Sequence, residues 1–70
     1  MDIKAHLPGR VTEVTVESGQ AVKKGAVLVL LEVMKTQVEV RADRDGTVNH
    51  VAVAVGDPVV MGQLLVRLAP

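Results

Sequence analysis

Among the 70 residues one amine stands out by its setting: Lys35, in the middle of Glu32-Val33-Met34-Lys35-Thr36-Gln37. A lysine ammonium on a flexible four-carbon stem is a target for covalent modification, provided the side chain projects into water where an enzyme can enclose it. No other residues gather into a reactive constellation. His6 and His50 stand alone, without a carboxylate or second histidine at ligand spacing, and read as solvated surface positions. Asp43 and Asp45 ahead of Gly46 superficially suggest a calcium loop, yet the spacing of such a loop and its closing glutamate are missing, so a plain turn is expected. Lys23-Lys24 reads as a solvated turn pair. No nucleophile–base pair and no phosphate-cradling glycine motif is present. The chain is expected to hold no catalytic residue and no metal.

The setting of Lys35 is an internal duplication. Moving the chain along itself by 37 places lays residues 1–32 over 38–69 without a gap. Ala5 falls on Ala42, Gly9 on Gly46, Val11 on Val48, Gly19 on Gly56, Val22 on Val59, Gly25 on Gly62 and Leu28-Val29 on Leu65-Val66. Between the two copies lies only Val33 to Gln37, with Lys35 at its centre. A duplicated fold with one amine at its crossing point suggests a scaffold that displays that amine.

Composition narrows what can surround it. Seventy residues form one domain, 1–70, which buries roughly 60% of its unfolded surface and has little stability to spare. With no cysteine there is neither a disulfide nor a thiolate metal site. Sixteen valines, seven leucines and one isoleucine supply the core, and their β-branched bias favours sheet over helix. Aromatic residues are absent and eight basic side chains balance eight acidic ones, which argues against nucleic-acid binding and against a polybasic membrane anchor. No apolar run approaches a membrane span or a signal core, so a cytoplasmic, monomeric domain is expected.

Alternation marks the strands. Val38, Val40 and Ala42 alternate with Gln37, Glu39 and Arg41, as in a strand with one wet face. Between Val11 and Val14 the phase slips, and it slips again between Val48 and Val51; one extra residue in each strand, a β-bulge, accounts for both. Ala26 to Val33 is apolar on both faces, but its counterpart carries Arg67 where Leu30 stands. That alignment predicts Val27, Val29 and Leu31 inward, with Leu64, Val66 and Leu68 as their partners. Pro8-Gly9, Ser18-Gly19, Lys24-Gly25, Asp45-Gly46, Gly56-Asp57-Pro58 and Met61-Gly62 supply the turns. Two such halves, neither able to close a core alone, predict sheet-on-sheet packing about a pseudo-two-fold axis, with about four strands per layer. Met34 and Lys35 are then the central pair of a tight reversal, where Met34 as an ordinary turn residue would be half-buried.

Over essentially all of its length the chain resembles the biotinyl/lipoyl attachment domains, the thumbless biotin carboxyl carriers in particular. The resemblance rests on Glu32-Val33-Met34-Lys35-Thr36 against the family's Ala-Met-Lys-Met. It extends to Gly9-Arg10-Val11, Val16 to Gly19, Val22-Lys23-Lys24-Gly25, Ala42 to Gly46 and Gly56 to Gly62. It implies an all-β, flattened barrel-sandwich of two four-stranded antiparallel sheets, with the lysine hairpin at one end and both termini at the other. It implies that the ε-amine of Lys35 forms an amide with biotin in the active site of a biotin protein ligase, and that Val33, Met34 and Thr36 take part in recognition. The carrier would shuttle a carboxyl group between a biotin carboxylase and a carboxyltransferase. Departures from the family pattern are Val33 where Ala or Ser is usual, Thr36 where Met is common, and Gln37, which removes a negative charge beside the target. Lipoyl domains share the fold but usually read Asp-Lys-Ala at the hairpin, so Met34 favours biotin; an unmodified barrel-sandwich scaffold is the third reading.

Overall fold

A computed structural model describes every residue from Met1 to Pro70. Eight strands and no helix are present: β1 (Asp2–Lys4), β2 (Gly9–Val14), β3 (Ala21–Val22), β4 (Val27–Val33), β5 (Thr36–Arg41), β6 (Gly46–Val51), β7 (Pro58–Val59) and β8 (Leu64–Ala69). They form two four-stranded antiparallel sheets, ordered β1-β8-β6-β3 and β5-β4-β2-β7. The domain is elongated, 32 × 18 × 18 Å.

The duplication is carried into the hydrogen-bonded register. Within the first copy Val11 faces Leu31 and Val14 faces Val29; within the second Val48 faces Leu68 and Val51 faces Val66. Pairings between copies repeat as well. Leu30↔Glu39 has its twin in Arg67↔Asp2, and Gly9↔Val59 in Gly46↔Val22. Each pair is its partner displaced by the repeat length, as a two-fold axis between the halves requires. The hairpin joining β4 to β5 is therefore matched, at the opposite end of the long axis, by the open junction of β8 and β1. There Leu68 N–H donates to the Met1 carbonyl at 2.7 Å.

Both slips in alternation are bulges. The register shifts between Val11 and Glu13 and between Val48 and His50, leaving Thr12 and Asn49 unopposed. The inward set differs from the sequence expectation at two positions. Val29, Leu31, Val66 and Leu68 are buried as expected, but Val27 and Leu64 are only half-buried, and Leu28 and Leu65 hold the fully buried places. A second pair of irregularities explains this: the register skips Leu28 between Val27 and Val29, and skips Leu65 opposite Ile3 and Lys4. Two consecutive side chains turn inward at each bulge, which strict alternation does not allow.

All fifteen buried residues are apolar, and no buried side-chain polar atom lacks a partner. Each buried Val or Leu contributes on the order of 1.5–3 kcal/mol. The three ion pairs, Arg41–Glu39, Arg44–Asp43 and Arg67–Asp2, lie on half-exposed side chains and add little by comparison.

Two expectations follow. Gly19 and Gly56 adopt φ of +94° and +95° with open space where a Cβ would stand, so a side chain there meets backbone strain rather than a clash. Gly19→Val or Gly56→Val should each destabilise the fold by more than about 1 kcal/mol, read from urea midpoints; unchanged midpoints would refute the strain account. Arg67 donates to Asp2 at 2.9 Å, and that hydrogen bond leads in holding the Asp2 carboxyl below its usual range. A carboxyl that titrates lower when folded stabilises above its unfolded pKa and ceases to as pH falls through its folded one. The midpoint difference between wild type and Asp2→Asn should hold steady near neutrality and close in acid; a difference independent of pH would show that the pair does not titrate as argued.

Candidate functional site: the lysine hairpin

Strands β4 and β5 close on the pair Val33↔Thr36, leaving Met34 and Lys35 as a two-residue turn. A loop this short matches the right-handed twist of its strands as a primed turn, type II′ with its first central residue at positive φ or type I′ with both. Met34 has φ 49° and Lys35 φ 66°, and no other non-glycine residue of the chain has positive φ. Asn-Gly is the sequence that adopts this conformation readily; an L-residue such as Met or Lys is disfavoured there by roughly 1 kcal/mol or more each. The tip therefore carries backbone strain that an Asn-Gly sequence would not.

Those side chains stand off the end of the sandwich. Met34 is 93% exposed, which corrects the half-buried position expected of an ordinary turn residue. Both strands end at the turn, and no third element rises beside it to cover the thioether. Lys35 is exposed and takes part in no hydrogen bond or ion pair. Glu32 and Gln37 face each other one step below. Thr36 is exposed, whereas Val33 is half-buried and packs on the core, so of the four sequence-derived site residues Val33 anchors the hairpin and the other three form its surface.

Beneath the tip the backbones come unusually close. A Cβ on Gly9 would lie 2.5 Å from the Glu32 carbonyl oxygen and 2.9 Å from Val33 Cγ2. Only glycine lets β2 press against the base of the hairpin, and this contact braces the turn against the sheet. Gly46 makes the equivalent approach to the Ala69 carbonyl at the opposite end.

The β1–β2 and β7–β8 turns share the lysine end, because β2 and β8 begin there. Gly62 N–H donates to the Ala5 carbonyl at 2.8 Å and ties the two turns together. An open groove of about 330 Å³ between the edge strands β1 and β5 has Leu7, Val33 and Val38 among its walls, which sets Leu7 beside the hairpin base. Leu7, Val60 and Met61 are exposed at this end, and turn chemistry alone does not single them out. A signal was available: the repeat aligns them with Arg44, Lys23 and Lys24. His6 and His50 lie on the surface, and Asp45 accepts a hydrogen bond from the Lys24 backbone at 2.8 Å, as a turn residue does.

Comparison with known proteins agrees with this architecture. The family described as "Biotin-requiring enzyme", the biotin/lipoyl attachment domains, matches residues 1–68. A biotinylated protein of Mycobacterium leprae is 44% identical over 91% of this chain and 90% of its own length. Pyruvate carboxylase of Staphylococcus aureus is 39% identical over 94% of this chain, which spans only 6% of that enzyme. The lipoyl domain of the Azotobacter vinelandii 2-oxoglutarate dehydrogenase complex superposes over the whole chain and 96% of itself, with a TM-score of 0.84 and 33% identity. Matched over residues 1–68, this chain belongs to the biotin/lipoyl attachment domain family of biotin-requiring enzymes.

Proposed function

We propose that the chain is a biotin carboxyl carrier domain and that Lys35 is the residue that takes the biotin. The observation that carries this reading is the tip itself. It presents an amine with no internal partner, next to a thioether 93% exposed, on a two-residue turn that accepts strain at both positions. The fit to covalent biotin is physical: an amide needs one accessible amine, free to leave the domain surface and enter another active site. An ammonium must lose a proton before its nitrogen can attack an activated carboxyl. No side chain of this protein accepts a hydrogen bond from Lys35, so the base and the activated acyl group come from the ligase.

The domain performs no bond-making of its own in the transfer cycle. Attached biotin supplies a ureido nitrogen that can carry a carboxyl group. The chain's own residues hold the attachment point rigid on paired strands, keep it clear of the core, and offer Met34 and Thr36 for recognition. Tethering replaces diffusion with a high effective concentration near a biotin carboxylase and a carboxyltransferase, the two partners this reading calls for. An ordered tip costs a docking enzyme less entropy than a floppy one. Met34 in place of an acidic residue before the lysine favours biotin over lipoate as the arm.

Co-expression with a biotin protein ligase should add the mass of one biotin, and Lys35→Arg should abolish the addition. Biotin found on Lys4, Lys23 or Lys24 would move the site elsewhere, and loading by a lipoate ligase instead would select the lipoyl reading. Replacing the tip with Asn-Gly (Met34→Asn with Lys35→Gly) should raise stability by roughly 1–2 kcal/mol in urea denaturation while removing all loading. A destabilised double variant would contradict the strain argument.

A further inference from the structure

Because the two ends of the domain are related by the pseudo-two-fold axis, each serves as a control for the other. The backbone at the lysine end is repeated at the terminal end, so chemistry present at only one end is not required by the fold. The turns at the lysine end carry Leu7, Val60 and Met61, exposed by 48%, 64% and 71%. At the same backbone positions of the opposite end stand Arg44, Lys23 and Lys24, also exposed. Solubility and turn geometry are satisfied by the cations there. The apolar residues at the lysine end therefore answer to something that end meets and the other does not.

We propose that Leu7, Val60 and Met61, together with Met34, form an apolar collar on which the enzyme that acylates Lys35 docks. The inference rests on Lys35 being the acceptor. The occupant is a ligase-type protein whose active-site mouth is rimmed by apolar side chains, because Met is enriched and Lys depleted where interfaces lose water. Geometry favours this enzyme over those that act on the loaded carrier. The bare lysine stem reaches only about 6 Å beyond its Cα, so an enzyme that acylates it must bring its rim down onto the end of the domain. Once the amide is formed the arm is far longer, and later partners can stand off.

Scale places the collar under that rim. β7 lies two strand spacings from β4, about 10 Å. Gly9, which faces Val59 on one side, presses against Glu32 and Val33 on the other. Even a small transient interface covers a disc on the order of 14 Å in radius on each partner. A footprint centred on Lys35 then includes the β7–β8 turn with Val60 and Met61, and Leu7 beside the hairpin base. Leu7 and Met61 come from turns joined by the Gly62–Ala5 hydrogen bond, so the collar is held in shape before any partner arrives.

The test exchanges the two ends. Val60→Lys with Met61→Lys copies the far end onto the lysine end, and Lys23→Val with Lys24→Met does the reverse. Initial rates of biotin incorporation into the full chain are measured with a biotin protein ligase, ATP and biotin. The first variant should lose roughly tenfold or more in kcat/KM for the carrier, chiefly through KM, and the second should match wild type. Leu7→Arg, on the other side of the collar, should fall in the same direction, and denaturation midpoints verify that each variant is folded. If wild type takes no biotin, the acceptor reading itself fails. If wild type is loaded and a folded Val60→Lys, Met61→Lys chain keeps within about twofold of its rate, the collar is overturned. Sedimentation showing a wild-type dimer that this variant dissolves would assign the surface to a second copy and overturn it equally.

Discussion

Four of the six strand pairings in this domain join one copy of the repeat to the other, and the fold depends on that exchange. β1 and β3 of the first copy complete the sheet of β6 and β8; β5 and β7 of the second complete the sheet of β2 and β4. Separated, either copy would leave its central strands without edge partners and its apolar face wet. Because the core is purely apolar, its cohesion is non-directional, and the orientation of the halves is set by these backbone ladders. The surface ion pairs are too exposed to decide it.

The same constraint makes the tip. An interlocked pair of halves in one chain needs one covalent bridge between equivalent strand ends, and symmetry leaves the twin of that bridge open as the two termini. Here the bridge is the shortest hairpin loop, closed as a type I′ turn in which both residues enter the left-handed region. Conformational strain and chemical prominence thus fall on the same residues, Met34 and Lys35. The fold can bear it, since about 1 kcal/mol per residue is small beside the burial of the core side chains. Glycine at position 9 does the complementary work, letting a neighbouring strand close against the hairpin base where any side chain would strike backbone. The hairpin is thus braced below and exposed above.

Much of this was legible in the residues. The repeat showed the two halves, the matched phase slips at Val11–Val14 and Val48–Val51 marked two bulges, and the turn dipeptides bracketed the strands. Periodicity carries no phase where both faces of a strand are apolar. Ala26 to Val33 is apolar on both faces, so nothing in it announced the bulge that turns Leu28 inward and Val27 partly out. Its twin at Leu65 was hidden likewise, because Leu64, Leu65 and Val66 are all apolar. Met34 stands further out than an ordinary turn residue, since apolar character says nothing about whether a neighbour exists to cover it. Leu7 is far from Val60 and Met61 in the chain, and the three share a surface only at one end of the folded domain.

Residue order therefore specified the periodic and local features: β-branched strands, positive-φ glycines, the duplication and the amine at its crossing. These depend on a residue and its near neighbours, which order alone supplies. Which of two adjacent apolar side chains enters the core, and which distant turns share an end with the lysine, depended on long-range register and packing. Those relations come into being when the second copy closes on the first.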